Sequence, residues 1–157
     1  MQPKVIKADF VLVKPDEMPY SVVQMKRMYG CDAELIATQE PGTSRRDVLD
    51  EMAKATEAAG FTLKDRRIIR FGIGEGVTVA QLLAESLSDM HTYPEFENCA
   101  HVWIDYCCFN RDNTDLGEKW WELTTALLKP RLVVDYPTIY VPVRMSTPEY
   151  REYLLAA

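Results

Sequence analysis

The alternation of apolar and polar residues along the chain predicts a protein rich in β-strands. Six segments have the β-branched content or the two-residue alternation of strands: 4–13, 21–28, 61–71, 77–86, 100–109 and 131–143. Pro15 and Pro19 follow the first segment and predict a loop there, while Pro137 and Pro142 interrupt the last one. Because proline cannot donate to a strand ladder, the last segment is predicted to lie at the edge of a sheet.

The segment 100–109 predicts a strand with two different faces. Val102, Ile104, Tyr106 and Cys108 share one face, and His101, Trp103, Asp105 and Cys107 share the other. Adjacent Cys107 and Cys108 therefore point to opposite sides of the sheet. Structural zinc sites usually present two closely spaced pairs of ligands, so this arrangement argues against a zinc site formed by the cysteines with His91 and His101. We predict no bound metal.

Two longer segments, 47–59 and 115–128, have the periodicity of amphipathic helices. Their apolar stripes consist of Val48, Met52, Ala55 and Ala59 in the first and of Leu116, Trp120, Leu123 and Leu127 in the second. Ser44 is predicted to cap the first helix, with Asp47 favouring its positive start, and Gly60 is predicted to end it.

These elements together predict an α+β fold. A short third helix is predicted to start at Thr147, which is followed by Pro148. Since each long helix has a single apolar stripe, it should cover a sheet rather than join a helix bundle. The predicted architecture is a two-layer sandwich, in which a mainly antiparallel sheet has the helices packed on one face.

Length and composition limit what the chain can be. Its 157 residues are typical of one domain, predicted over 1–157, and 47 % apolar with 27 % charged residues is ordinary for a globular protein. The 18 Lys and Arg against 24 Asp and Glu give a net charge of −6, which argues against nucleic acid as a partner. No apolar run reaches the roughly 18 residues of a membrane span, and residues 1–5 lack the apolar core of a signal peptide. We expect a cytoplasmic protein whose four cysteines are reduced thiols.

Two local motifs are weak evidence when taken alone. The glycine-rich run 72–76 precedes strand-like Val77-Thr78-Val79 rather than the helix that a phosphate-binding loop requires, so it predicts a hairpin connection. Ser86 and His91 are five residues apart, which is about 17 Å along an extended strand, and only a bend or hairpin would bring them together. On spacing alone they indicate a strand end and a polar turn.

A larger set of motifs is more specific. It comprises Tyr29-Gly30-Cys31-Asp32, Gly76-Val77-Thr78, Leu83-Ala84-Glu85-Ser86, His91-Thr92-Tyr93-Pro94-Glu95 and Tyr106-Cys107-Cys108. In order and spacing this set resembles the bacterial S-adenosylmethionine decarboxylases over residues 28–109, with the helix at 47–59 where that family has one. The string from Glu-Ser to His-Thr-aromatic-Pro-Glu is its most specific part.

The resemblance implies an enzyme with a pyruvoyl group made from its own chain. The peptide bond between Glu85 and Ser86 would break by attack of the serine hydroxyl on the preceding carbonyl, and elimination would convert Ser86 into the pyruvoyl group. The products would be a β chain, 1–85, and an α chain, 86–157. The ketone would form a Schiff base with the amine of the substrate and accept the electron pair released with carbon dioxide.

The resemblance also implies roles for further residues. His91 matches a histidine that assists proton removal during self-cleavage, and Thr78 takes the place of a serine hydroxyl that assists the same step. A family cysteine returns a proton to the product carbon after decarboxylation. The aromatic-Thr-Cys-Gly pattern around that cysteine reads Tyr106-Cys107-Cys108-Phe109 in this chain, which favours Cys108 and leaves Cys107 open.

The substrate-binding residues match the family less well. Phe71 lies near the aromatic residue that stacks on adenine in the family, and Glu85 is the second predicted substrate-binding residue. Leu87 replaces the histidine that usually follows the pyruvoyl serine, and Lys26-Arg27 stand in a strand that is usually acidic and apolar. The residues of self-cleavage are therefore largely retained, whereas those of the substrate pocket differ.

Three hypotheses about function follow. The leading one is a pyruvoyl-dependent S-adenosylmethionine decarboxylase that feeds spermidine synthesis and forms a homodimer, as short members of the family do. A second keeps the chemistry but changes the substrate to arginine or ornithine, because the altered residues surround the pocket. A third, motivated by Leu87, is an uncut and inactive paralogue that regulates an active partner.

Overall fold

One antiparallel sheet with helices packed against it forms the protein, whose computed structural model describes residues 2–43, 46–145 and 147–155. The strands are β1 (Tyr20–Tyr29), β2 (Leu63–Arg70), β3 (Val77–Leu83), β4 (Ser86–Tyr93), β5 (Cys99–Cys108), β6 (Leu132–Asp135) and β7 (Ile139–Pro142). The helices are α1 (Ala33–Ile36), α2 (Val48–Ala59), α3 (Thr114–Leu128) and α4 (Pro148–Tyr150), with a π-helical turn, Arg151–Leu155, after α4.

The seven strands of the described chain are joined in the order β2-β3-β4-β5-β1-β6, and β7 also pairs with β1. Every pairing is antiparallel. β6 and β7 pair with the two ends of β1 and are separated at Pro137. The interrupted edge strand predicted at 131–143 is therefore confirmed, and so is the hairpin connection at 72–76.

The two faces of the sheet differ in burial. Along β5 the even-numbered residues, such as Val102 and Ile104, are fully buried, whereas their odd-numbered neighbours from 101 to 107 are half-buried. Met52 of α2 and Trp120 of α3 belong to the same core as these buried residues. The predicted α+β sandwich with helices on one face is confirmed. We call the opposite face the second face; it carries the odd-numbered side chains of β1, β4 and β5 and the even-numbered side chains of β3.

The ends of the helices follow from their flanking residues. Asp47 caps α2 through its carboxylate, which accepts the Leu49 N–H at 2.8 Å, and Gly60 ends the helix with a φ of 104°. Since a positive φ is strained for residues with a Cβ, glycine is favoured there, and the predicted stop is confirmed. Thr147 caps α4 as predicted. Ser44, the predicted cap of α2, lies outside the described residues.

Two strand predictions are wrong. Apart from an isolated bridge between Val11 and Tyr140, residues 4–13 lie outside the sheet, and Phe10 is 79 % exposed. β-Branched content alone is insufficient, because a strand also needs a paired edge and a buried face. The segment 77–86 is not one strand: β3 ends at Leu83, and β4 starts at Ser86 after a two-residue turn.

Gly117 allows a close contact between α3 and the sheet. A Cβ at this position would overlap the hydroxyl oxygen of Tyr106, which is buried in β5. At an exposed helix position, changing glycine to alanine stabilises by about 1 kcal/mol. We predict that Gly117→Ala instead lowers the free energy of unfolding by about 1–3 kcal/mol, because either the ring or the helix must shift.

Urea unfolding followed by circular dichroism measures this change. Glu118→Ala is the control, since Glu118 is exposed at the next position of the same helix and its loss should change the free energy of unfolding by less than about 0.5 kcal/mol. A Gly117→Ala protein as stable as the parent would contradict the predicted clash.

Candidate active site

The predicted cleavage site lies at the tip of the β3–β4 hairpin. Leu83 pairs with Ser86, so only Ala84 and Glu85 form the turn. Ser86 has a φ of 151°, a value that residues with side chains rarely adopt. Such strain persists only where the surrounding structure maintains it, and strained backbone is concentrated at functional sites.

The peptide bond between Glu85 and Ser86 is held from two neighbouring segments. The Glu85 carboxylate accepts the backbone N–H of Thr62 at 2.9 Å and the hydroxyl of Thr62 at 3.1 Å. The Ala84 N–H donates to the Thr62 carbonyl oxygen at 2.9 Å. From β5, the backbone N–H of Cys107 donates to the Glu85 carbonyl oxygen at 2.8 Å. A hydroxyl that attacked this carbonyl would find a donor already in place for the developing oxyanion.

Thr78 and His91 meet at the opposite end of the same hairpin. They are direct cross-strand partners on the second face, and the Thr78 hydroxyl oxygen lies 3.0 Å from His91 Nδ1. A hydroxyl in contact with an imidazole can hold or relay a proton. The structure thus brings together two of the residues predicted to assist self-cleavage.

Thr92 and Gly76 set the geometry of this end of the hairpin. The Thr92 hydroxyl donates to the Ile36 carbonyl oxygen at 2.6 Å and accepts the Val77 N–H at 2.8 Å. Gly76 lies so close to the Thr92 carbonyl oxygen that a Cβ there would overlap it. The Gly-Val-Thr and His-Thr motifs are therefore in contact, and this contact determines the spacing of β3 and β4 beside the Thr–His pair.

Ser86 and His91 are not brought together within one chain. Both belong to β4, where five residues of strand separate them by about 17 Å. The bend needed to join them does not occur in β4, all of which the structure describes. His91 therefore contacts Thr78 but not the cleavage site of its own chain.

The two candidate cysteines lie on opposite faces of β5, as the alternation predicts. Cys108 is buried on the helix side, where its sulfur accepts the Asn113 N–H at 3.3 Å, and burial raises the pKa of its thiol. Cys107 is half-buried on the second face, and its backbone N–H contacts the cleavage site. Cys107 shares a face with the Thr–His pair, whereas Cys108 shares the helix side with Ser86, which pairs with Tyr106. Which cysteine donates the proton stays a prediction.

Imidazole and carboxylate groups surround His91 on the second face. His101 is its partner on β5, with the ring centroids 6.4 Å apart, and Asp89 Oδ1 lies 3.8 Å from His91 Nε2. Burial raises the pKa of the Asp89 carboxyl, an effect that the two histidines oppose. Burial, followed by the charge of Arg27, lowers the pKa of His101. The Asp89 carboxylate therefore lies near the rings of both His91 and His101, and a positive charge on either ring favours its ionised form.

A cleft of ≈ 570 Å³ lies at the His91 end of the second face. It is lined by Arg27, Tyr29, Tyr93, Glu95, Phe96, Glu97 and Cys99. Aromatic rings with carboxylates beside them can bind a flat, cationic ligand. Tyr93 and Glu95 belong to one of the sequence motifs, but the sequence did not predict that they line a cleft. The available signal was alternation, which places Tyr93 on the same face as His91.

Neither predicted substrate-binding residue lines this cleft. Phe71 is 62 % exposed and lies just beyond the end of β2. The Glu85 carboxylate is bound by Thr62 at the cleavage site. Their substrate-binding roles therefore stay predictions, while the aromatic and acidic residues of the cleft are better placed beside His91.

Comparison with known proteins identifies the family. The family model of S-adenosylmethionine decarboxylase matches residues 25–134, more than half of the chain and all of the candidate residues described above. The chain belongs to the S-adenosylmethionine decarboxylase family. No curated protein sequence is significantly similar to it.

A solved structure shares the fold of the chain. It is the crystal structure of the adenosylmethionine decarboxylase from Aquifex aeolicus VF5, with a TM-score of 0.67 and 19 % sequence identity. The match covers 83 % of this chain and 98 % of that chain. At this identity the likeness shows the fold alone.

Membership of the S-adenosylmethionine decarboxylase family makes the chain a carboxy-lyase that acts on a small molecule. The family is generally pyruvoyl-dependent. Among the described residues, no cluster of three or more histidine, cysteine or acidic side chains is arranged to hold a metal ion. The helices of the described ranges are all too short or too polar to cross a membrane.

Proposed function

We propose that the chain is a pyruvoyl-dependent S-adenosylmethionine decarboxylase that produces its pyruvoyl group by cutting itself between Glu85 and Ser86. The observation that carries this proposal is the strained backbone at Ser86 together with the Cys107 N–H on the Glu85 carbonyl oxygen. Once formed, the group supplies a ketone that accepts the electrons released with carbon dioxide, which no ordinary side chain can do.

The cut needs only the chain and water. The Ser86 hydroxyl attacks the carbonyl carbon of Glu85, and the Cys107 N–H stabilises the negative charge on the carbonyl oxygen. The C–N bond then breaks, which leaves an ester and a free amino group on residue 86. Removal of the proton from the Ser86 α-carbon expels Glu85 as a carboxylate, and water replaces the amino nitrogen to give the pyruvoyl group and ammonia. Relief of the strain at Ser86 favours the first step.

The cleft beside His91 supports S-adenosylmethionine as the substrate. Its aromatic rings can stack on the adenine, and Glu95 and Glu97 can accept hydrogen bonds from the ribose or attract the sulfonium charge. Arg27, in the same lining, can bind the carboxylate of the amino-acid part. A ligand with a flat base, a cationic centre and a carboxylate therefore suits the residues present.

The cellular setting follows from the proposed reaction. Decarboxylated S-adenosylmethionine would be used in spermidine synthesis. All four cysteines are free thiols, as expected of a protein in a reducing compartment. These free thiols support our proposal that the enzyme is cytoplasmic.

Intact-mass measurement tests the cut directly. We expect freshly purified protein to give two chains of 85 and 72 residues (157 − 85 = 72), the shorter one beginning with a pyruvoyl group that blocks Edman degradation. Ser86→Ala removes the attacking oxygen and should leave one inactive chain of full length. Ser21→Ala is the matched control, because Ser21 is a half-buried serine on β1, two strands away from β4, and this variant should be cut normally.

Two results would decide against this mechanism. Decarboxylation by a protein whose bond between residues 85 and 86 is intact would exclude a pyruvoyl group at residue 86. A wild-type protein that is neither cut nor active, but copurifies with an active homologue, would favour the regulatory paralogue.

Because His91 is far from Ser86 of its own chain, we propose a homodimer in which each copy completes the site of the other. The second face has half-buried apolar side chains, such as Met25. On the same face, the buried Nδ1 of His101 and Nε1 of Trp103 have no hydrogen-bond partner within the described chain, which supports a covering partner. Two copies packed by their second faces with opposite strand directions would bring the hairpin tip that carries residues 85 and 86 of one copy to the His91 end of the other, although alternation directs the even-numbered Ser86 side chain to the helix side of its own strand.

Mixed chains test the shared site. We expect His91→Ala to stall or slow the cut, because the base is lost. Co-expressed with Ser86→Ala, it forms a mixed dimer with one complete site, in which the His91→Ala chain should be cut again while the Ser86→Ala chain stays whole. Different tags separate the two chains by mass. Mixed dimers in which neither chain is cut would contradict the exchange of residues.

The faces of β5 predict different effects for its two cysteines. We expect Cys107→Ala to be cut but to lose carbon dioxide release from S-adenosylmethionine, or to become inactive within a few turnovers, because the product carbon no longer receives its proton. Cys108→Ala is the matched variant on the other face and should retain turnover. The reverse result would assign the proton to Cys108.

Substrates labelled in the carboxylate measure these activities and test the substrate as well. Release of labelled carbon dioxide from S-adenosylmethionine, with none from arginine or ornithine, is the expected result. Release from arginine or ornithine alone would keep the pyruvoyl chemistry and replace the proposed substrate.

A further inference from the structure

We propose that Asp89 is a positioning residue for His91: its carboxylate keeps the imidazole proton on Nε2, so that Nδ1 accepts the Thr78 hydroxyl. This inference rests on the proposed function only for the claim that Asp89 and His91 act in self-cleavage. The tautomer of His91 itself can be measured in a chain that is never cut. The inference adds a residue to which none of the sequence motifs points.

Thr78, His91 and Asp89 form a continuous line of contacts on the second face. The Thr78 hydroxyl oxygen lies 3.0 Å from Nδ1 of His91, and Asp89 Oδ1 lies 3.8 Å from Nε2. The second distance is too long for a hydrogen bond, so the carboxylate acts on the ring through its charge. Asp89 and His91 are two residues apart on β4 and therefore project from the same face. Each nitrogen of the ring thus has a partner of its own.

The other groups around Asp89 leave its carboxylate available to His91. The residues that face it from β3, β5, β1 and β2 are Ala80, Trp103, His101, Asp105, Arg27 and Arg67. Arg67 is paired with Asp65. Within the described chain the buried Nδ1 of His101 has no hydrogen-bond partner, and burial lowers the pKa of this ring, which disfavours its cation. His91 is the group in ion-pair range of the carboxylate within the described chain.

The chemistry of the two partners fixes the tautomer. At 3.8 Å the ionised carboxylate makes no direct hydrogen bond to the ring, but its negative charge favours the N–H on the nitrogen that faces it, Nε2. A neutral imidazole has one N–H, which leaves the lone pair on Nδ1 facing the Thr78 hydroxyl. When Nδ1 takes a proton, the ring becomes a cation whose charge the carboxylate stabilises. Without that carboxylate the ring can turn its N–H toward Thr78, and the base then no longer faces the hydroxyl.

Nitrogen-15 NMR of the histidine rings measures the tautomer. The chain has two histidines, so the spectrum of His101→Asn assigns the signals of His91. In uncut Ser86→Ala protein we expect the Nε2–H tautomer, and addition of Asp89→Asn should shift it toward Nδ1–H, because the new amide can donate to Nε2. Asp105→Asn is the matched control: it removes another half-buried carboxylate from the same face and should leave the tautomer unchanged.

Cleavage rates connect the tautomer to self-cleavage. We expect Asp89→Asn in the otherwise natural sequence to slow the cut about 10- to 100-fold, measured as the uncut fraction over time, while Asp105→Asn is cut at the parent rate. An unchanged tautomer in Asp89→Asn overturns the proposal even where the cut is slow. A shifted tautomer with an unchanged rate overturns the role in cleavage. If Asp89→Asn shifts the tautomer but the parent protein never cuts itself, the role of Asp89 in positioning His91 is supported. That same result contradicts the proposed function.

Discussion

The two-residue turn between β3 and β4 fixes the register of these strands, and the positions of the candidate residues depend on that register. With Leu83 opposite Ser86, Thr78 comes to lie opposite His91 at the far end of the hairpin. One more residue in the turn would shift every later pair and, because side chains alternate along a strand, would send His91 to the helix-covered face. A single local geometry therefore sets both the strained bond at one end and the hydroxyl–imidazole pair at the other.

The strain at Ser86 is small enough to be maintained by the bonds around it. A backbone in so sparsely populated a region costs on the order of 1–3 kcal/mol. The Glu85 carboxylate accepts two hydrogen bonds from Thr62, and because both are exposed to water, each contributes about 0.5–1 kcal/mol. The neutral bond from Cys107 to the Glu85 carbonyl oxygen adds about 1 kcal/mol. These hydrogen bonds can thus hold Ser86 in its strained backbone conformation, and breaking the bond between residues 85 and 86 would release that strain.

The sequence predicts well those elements whose periodicity reports burial, such as α2 and the two faces of β5, because alternation and the 3.6-residue repeat follow directly from which side is covered. Sequence-based prediction fails where the structure depends on which strands pair with each other. Residues 4–13 have strand composition but no paired edge, and the turn at Ala84 lacks the glycine or asparagine that would have marked it. The contact of Thr78 with His91 and the cleft at Tyr93 depend on which side chains share a face across neighbouring strands. Motifs report residue types in order along the chain, and such neighbours appear only once the register is known.

The tip of a hairpin is also the place where this fold best tolerates a break. Residues 1–85 contain β1 to β3 and α2, whereas residues 86–157 contain β4 to β7 and α3. β1 lies between β5 and β6, so a strand of the first piece is enclosed by strands of the second, and α2 packs on α3 across the same division. β3 and β4 stay joined by the ladder that runs from the Leu83–Ser86 pair to the Thr78–His91 pair. Neither piece can complete the sheet or the core without the other, and the two chains made by the proposed cut therefore remain one folded unit, with the new chain end at residue 86 still beside β5.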